Sequence, residues 1–253
     1  LHPANTLSLH DALRSGADGT EWIKAVKVEP TNRNNKISEE YDINAWTKFT
    51  FPGRNNKYSD FKWNSEHFDG VDWDENKKEK AIFQFTGIGK SWDSQVDSEN
   101  GNYDYLMLTD LDFSSPVVYD ELLRWGLWYS EIANLDGFRL DAIKHIDFKF
   151  FIKWIKDIRN ITKKEIFTVG EYWSGDMNIL KRYVENTSHI FNIFDVPLHY
   201  NFFSAVKEKE NYDLRGLMSS TLISCYPQNS VTFVNNHDTQ PVQSRSEEHT
   251  SEL

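Results

Sequence analysis

GFRLDAIKH, residues Gly137 to His145, sets an arginine and an aspartate two apart in a short apolar run, then adds a lysine and a histidine. Successive side chains of a strand alternate between its faces, so Arg139 and Asp141 point one way and Phe138 and Leu140 the other. A guanidinium beside a carboxylate favours the ionised acid, which is the state a nucleophile needs. Taken alone, the pair reads equally as a salt bridge at a strand end. What surrounds it has to decide.

Working outward, helices alternate with buried strands from Pro116 onward. Apolar spacing predicts helices over Tyr119–Asn134, Phe148–Thr162 and Met177–Asn186, with two more near Tyr200–Glu208 and Asp213–Leu222. Strands are expected at GFRLD, EIFTVGE (Glu165–Glu171), HIFNIFDVP (His189–Pro197) and SVTFVNNHD (Ser230–Asp238). Such alternation calls for a parallel sheet, and only about half the eight strands of a closed (β/α)8 barrel are present. Upstream, residues 16–115 are polar and turn-rich, with short strand-like runs at Glu21–Pro30, Lys48–Phe51 and Ala81–Phe85. The expected fold is therefore α/β, with a parallel sheet over residues 116–244 behind a β-rich segment over residues 16–115. Residues 1–15 and 245–253 lack core-like periodicity and read as tails acquired in cloning or sequence assembly.

The formal charge of −11 opposes nucleic acid as the main partner and suits a neutral ligand, bound cations or both. No apolar run reaches membrane-spanning length, and no leader pattern opens the sequence. Cys225 is the single cysteine, so neither an internal disulfide framework nor a thiolate metal cluster is available. One cysteine leaves the compartment open.

Three strands end in acids: Asp141, Glu171 and Asp238, the last beside His237. In parallel barrels, chemistry collects where strands end and loops converge. Any one of these acids reads as a helix cap or a solvated loop residue; all of them, each behind a buried strand, point to a shared site.

GFRLDAIKH, VGEYW (Val169–Trp173) and FVNNHD (Phe233–Asp238) resemble three signature regions of the α-amylase superfamily, glycoside hydrolase family thirteen. FPGRNNKYSDFKWNSEHFDGVDWDE, ENGNYDYLMLTDLDF, FDVPLHYNF and HDTQPVQS are similar to segments of the bacterial liquefying members. The resemblance runs from about Gly16 to Ser244, and it implies a partial TIM barrel, about strands four to seven, over residues 116–244, carrying a β-rich inserted metal-binding domain over residues 16–115. It implies retaining hydrolysis of α-1,4-glucan, with Asp141 as nucleophile, Glu171 as general acid/base and Asp238 as the third acid, which favours the distorted sugar. Such chemistry asks for two carboxyl groups about 5–5.5 Å apart with divergent pKa values. Arg139, Lys144, His145, Trp173 and His237 match substrate-binding positions. Starch and maltooligosaccharides are the implied partners, with neither nucleic acid nor membrane, and the complete enzyme is expected to be a monomer. Secretion follows from the family's habit, although a cytoplasmic location stays open.

Asp69, Asp93, Asp104, Asp110 and Asp112 crowd the inserted segment, where spacing alone reads as solvated turn acids as readily as ligands. The resemblance implies a cluster of Ca2+, with Na+, held by these acids and the backbone carbonyl of His145. Ser114 departs from the pattern, standing where some relatives carry an aspartate. The family's first signature region, an aspartate followed by asparagine–histidine, is not found before Gly16. The isolated chain is accordingly expected to be truncated, aggregation-prone, and weakly active or inactive. Competing readings are a maltooligosaccharide-forming amylase or transglycosylase with the same acids, an inactive carbohydrate-binding fragment, and a hydrolase whose acids serve a metal directly.

Overall fold

The computed structural model describes residues 17–57 and 59–239. Both expected tails, and Gln240–Ser244 of HDTQPVQS, lie outside the described residues. The chain falls into two compact units that divide between Phe167 and Thr168.

The first unit begins with an antiparallel sheet: β1 (Gly19–Glu29), β2 (Asn32–Lys36), β3 (Tyr41–Lys48), β4 (Phe68–Asp74), β5 (Glu79–Phe85) and β6 (Thr109–Leu111). The order is β2-β1-β5-β4-β6, with β3 also pairing β1. In β3, Ile43, Ala45 and Thr47 are buried while Asp42, Trp46 and Lys48 face solvent, the two-residue alternation of a half-buried sheet. The expected strand Lys48–Phe51 is corrected. β3 stops at Lys48, only Phe49 bridges Trp63, and Phe51 turns left-handed at φ 49°.

Helix α1 (Pro116–Ile132), strand β7 (Gly137–Leu140) and helix α2 (Phe148–Thr162) complete this unit. α2 has the predicted bounds, opened by Asp147, whose carboxylate accepts from the Lys149 amide at 2.7 Å. α1 and α2 pack closely at Gly126, where an added Cβ would lie 2.4 Å from Trp154 Cζ2. The Trp154 indole donates to the Leu122 carbonyl at 3.1 Å, so the large ring is buried without an orphaned donor. The β-rich segment is tied to this strand–helix pair by backbone bonds from Asp97 N to Lys144 O (2.9 Å) and from Phe148 N to Gln95 O (3.3 Å).

The second unit is parallel: β8 (Phe167–Gly170), β9 (Asn192–Phe194) and β10 (Ser230–Val231) pair side by side, β9 in the middle. Between them run α3 (Met177–Asn186), α4 (Val196–Glu208) and the short α5 (Leu222–Cys225). α3 has its predicted bounds. The other expectations need correction. The strand expected over His189–Pro197 is three residues long, because Asp195 caps α4 and Pro197 enters its first turn. The helix expected over Asp213–Leu222 is a single 3-10 turn at Leu214–Gly216, separated from α5 by left-handed Ser220. SVTFVNNHD is a strand only at Ser230–Val231; from Thr232 on, the chain has no ladder partner among the described residues.

Asp195 holds this unit together. Fully buried, it accepts from the amides of Leu198 (3.1 Å), Leu222 (3.1 Å) and Ile223 (2.8 Å) and from the Ser230 hydroxyl (3.3 Å). Asp195→Ala orphans several buried donors at once and should cost about 3–5 kcal/mol, read as a lower urea midpoint. Among the described residues no helix is long and apolar enough to cross a membrane.

Candidate functional site

β7 delivers the pair that opened the sequence reading. Arg139 Nη1 donates to Asp141 Oδ1 at 2.8 Å, and both side chains are about four-fifths buried, at 21% exposure each. The alternation of a strand aims them alike. Ala142 then takes left-handed angles (φ 50°, ψ 37°), a costly conformation for a residue with a Cβ, and turns the chain away directly after the acid. Lys144 follows, its ammonium 3.0 Å from Glu99 and over the Tyr103 ring. His145 is buried, its Nδ1–H donating to the Tyr103 carbonyl at 2.7 Å, with the two rings edge to face.

In the second unit Glu171 leaves the end of β8 and is half-buried. Trp173, two residues on, packs against His199, Tyr200 and Phe233 with ring centroids 6.1–6.5 Å apart. His199 stacks on Phe233 at 4.9 Å and 8°, and its Nδ1–H donates to the Val234 carbonyl. The sequence reading missed this support for Trp173. His199 lies in FDVPLHYNF, a segment quoted for likeness rather than for any role. His237 Nε2 lies 3.0 Å from Asp238 Oδ2, and both side chains are half exposed. Asp141 thus belongs to the first unit, and Glu171 and Asp238 to the second.

The five acids of the insertion come together inside the first unit. Asp69, Asp93, Asp104, Asp110 and Asp112 are each at most 7% exposed. Burial drives the Asp69 carboxyl up to about 9, helped by the charges of Asp112 and Asp110. Asp93 rises to about 7 through burial and then Asp147. Burial and neighbouring anions likewise hold Asp104 and Asp110 well above the usual carboxylate range. Both Asp69 oxygens and Asp93 Oδ2 lack any hydrogen-bond partner. Among the described residues no three His, Cys, Asp or Glu side chains form a ready-made metal cage. Even so, buried and mutually repelling carboxylates with oxygens left over are the donor set a hard cation takes.

A pocket of about 340 Å³ elsewhere in the first unit, lined by Trp46, Val71, Asp72, Trp73, Lys80 and Thr109 among others, contains none of the acids predicted as catalytic or metal-binding. Both indoles donate to the same Glu75 oxygen, Trp73 at 2.8 Å and Trp46 at 3.2 Å. The Lys78 ammonium, and after it the two indoles, hold the Glu75 carboxyl down to about 2.

A β-rich segment and strand–helix elements whose strands end in acids fit the α/β class of glycoside-processing enzymes. Residues 34–253 match the family model for the α-amylase catalytic domain, and the chain belongs to that family. It is 56% identical over 230 residues to the α-amylase of Geobacillus stearothermophilus, covering 91% of this chain and 42% of that protein. Against the Bacillus licheniformis α-amylase, identity is 52% over 231 residues, with coverages of 91% and 45%. The glucan 1,4-α-maltohexaosidase of Bacillus sp. (strain 707) is 49% identical over 229 residues, covering 90% and 44%. The chain therefore spans less than half the length of these relatives.

Proposed function

We propose that this chain carries the catalytic acids of an endo-acting α-amylase, hydrolysing α-1,4-glucosidic bonds of starch and maltooligosaccharides with net retention. The observation that carries the reading is the Arg139–Asp141 pair at the C-terminal end of β7. It supplies the oriented carboxylate that double displacement requires, in a chain about half identical to α-amylases. Asp141 attacks the anomeric carbon and forms a glycosyl-enzyme ester while Glu171 gives its proton to the departing glycosidic oxygen. Glu171 then takes a proton from water, which opens the ester and restores the α-configuration. Asp238 holds sugar hydroxyls and favours the flattened ring. Trp173 covers a pyranose face, braced by the stacked His199 and Phe233. Lys144, His145 and His237 are assigned as further sugar contacts.

We place Ca2+, with Na+ beside it, among Asp69, Asp93, Asp104, Asp110, Asp112 and the His145 carbonyl. The orphaned Asp69 oxygens support this. Bound there, the cation neutralises the acids and cross-links the insertion to the segment after β7, without entering the chemistry. Secretion is inferred from the same kinship.

Grafting residues 16–244 in place of the corresponding segment of a complete relative tests the reading. The graft should hydrolyse starch, and its first-released product should be the α-anomer by NMR. A folded graft releasing the β-anomer, or none at all, overturns it. One relative is named for maltohexaose release, so a product of fixed length is the second reading, separable by chromatography.

A further inference from the structure

The acid cluster is not uniformly short of partners. Asp69 is 1% exposed, with neither oxygen hydrogen-bonded. Asp112, also buried in the same cluster at 5% exposure, has a partner on each oxygen. Its Oδ1 accepts from the Ser114 hydroxyl at 2.6 Å and its Oδ2 from the Lys90 ammonium at 2.8 Å. Lys90 is itself held: its ammonium also donates to the Glu66 carbonyl at 2.8 Å and lies 3.7 Å from Asp69 Oδ1, with the side chain only 14% exposed. It arrives from a turn built on Gly87 (φ 134°) and Gly89 (φ 80°), with the fully exposed Ile88 between them. Those backbone angles suit glycine and let the loop place Lys90 against the acids. The positive charge of Arg33 also acts on Asp110, and its guanidinium donates to the Tyr105 carbonyl.

We infer that Lys90 is a built-in counter-cation. Its ammonium, together with the Ser114 hydroxyl, satisfies Asp112 and does there what a divalent ion would do, so within the ligand set proposed above Asp112 serves the lysine while the cation falls to Asp69, Asp93, Asp104, Asp110 and the His145 carbonyl. An ammonium is a compact point charge with three donors, so it can meet several oxygens at once, as this one does. A serine where an acid would add charge fits the same economy, because fewer negative charges at that end require only one positive charge. Lys90 therefore sets how many cations the cluster takes and how tightly. A second ion near Asp112 would have to displace the lysine or bind against its charge. The inference rests on reading the cluster as a cation site.

The test is calcium stoichiometry and affinity of the full chain by titration calorimetry after chelation, with bound metal counted by atomic spectroscopy. Wild type should bind calcium. Lys90→Gln should tighten the weakest-bound calcium about tenfold, and Lys90→Gln with Ser114→Asp should bind one calcium more per chain. Lys90→Arg, which keeps the charge, should behave as wild type. Equal stoichiometry, and affinity within twofold, in a double variant with a native circular dichroism spectrum would overturn the inference. Should that variant fail to fold, the affinity of Lys90→Gln alone decides. A wild type that binds no calcium overturns the cation reading itself, a different result from a lysine without effect.

Discussion

Glu171→Gln, made in the graft, should slow starch hydrolysis by about 10³- to 10⁴-fold while leaving maltooligosaccharide binding within a few-fold. Glutamine keeps the size and can still hydrogen-bond, but it has no proton to give the leaving oxygen. The role has a sharper signature than loss of rate. A maltosyl fluoride needs no protonation to depart, so Glu171→Gln should still form the glycosyl-enzyme from it and stall at the second step, where water needs a base. Asp141→Asn should lose both steps on both substrates, by on the order of 10⁴-fold or more. A Glu171→Gln variant fully active on starch would remove Glu171 from the mechanism, and an Asp141→Asn variant that still accumulated the covalent ester would do the same for Asp141.

Removing calcium is expected to lower the melting temperature by about 10 °C. A ligand present at a thousandfold its dissociation constant stabilises by about 4 kcal/mol, and 1 kcal/mol moves Tm by about 2–4 °C in a chain of this size. The loss should depend on pH, with a sign that Asp69 sets. Its carboxyl titrates near 9 in the metal-free fold, against an ordinary 3.8. The metal-free fold therefore binds a proton that the unfolded chain has released, and its stability falls as pH rises from about 4 to about 9. Calcium needs the ionised acids, so its binding strengthens over the same interval. The gap between calcium-loaded and chelated melting temperatures should accordingly widen from pH 5 to pH 8. A constant or narrowing gap would remove the cluster as the binding site.

What the sequence disclosed follows from how local each signal is. α2 and α3 were legible to the residue because an aspartate precedes an amphipathic run in each, Asp147 in one and Asp176 in the other. The strands were read too long, since an apolar run does not say where its ladder partner stops. Val231 pairs with Phe194, and then the pairing ends. Asp195 was hidden inside an expected strand because three of its four partners come from residues 222–230, far along the chain. The Arg139–Asp141 pair was visible, being two residues apart. Lys90 was not, because its partner Asp112 is 22 residues away and nothing in the local pattern points to it. The roles of the acids came from resemblance; spacing alone left each as a plausible cap.

Ala142 remains, held left-handed immediately behind Asp141. Glycine there would relieve the backbone and would be expected to stabilise the fold slightly, yet the residue in this sequence carries a methyl group. That methyl narrows the swivel of the peptide behind Asp141, the proposed nucleophile. On that proposal a small standing cost in foldedness would fix the acid's line of approach to a sugar, and easing it would trade aim for durability.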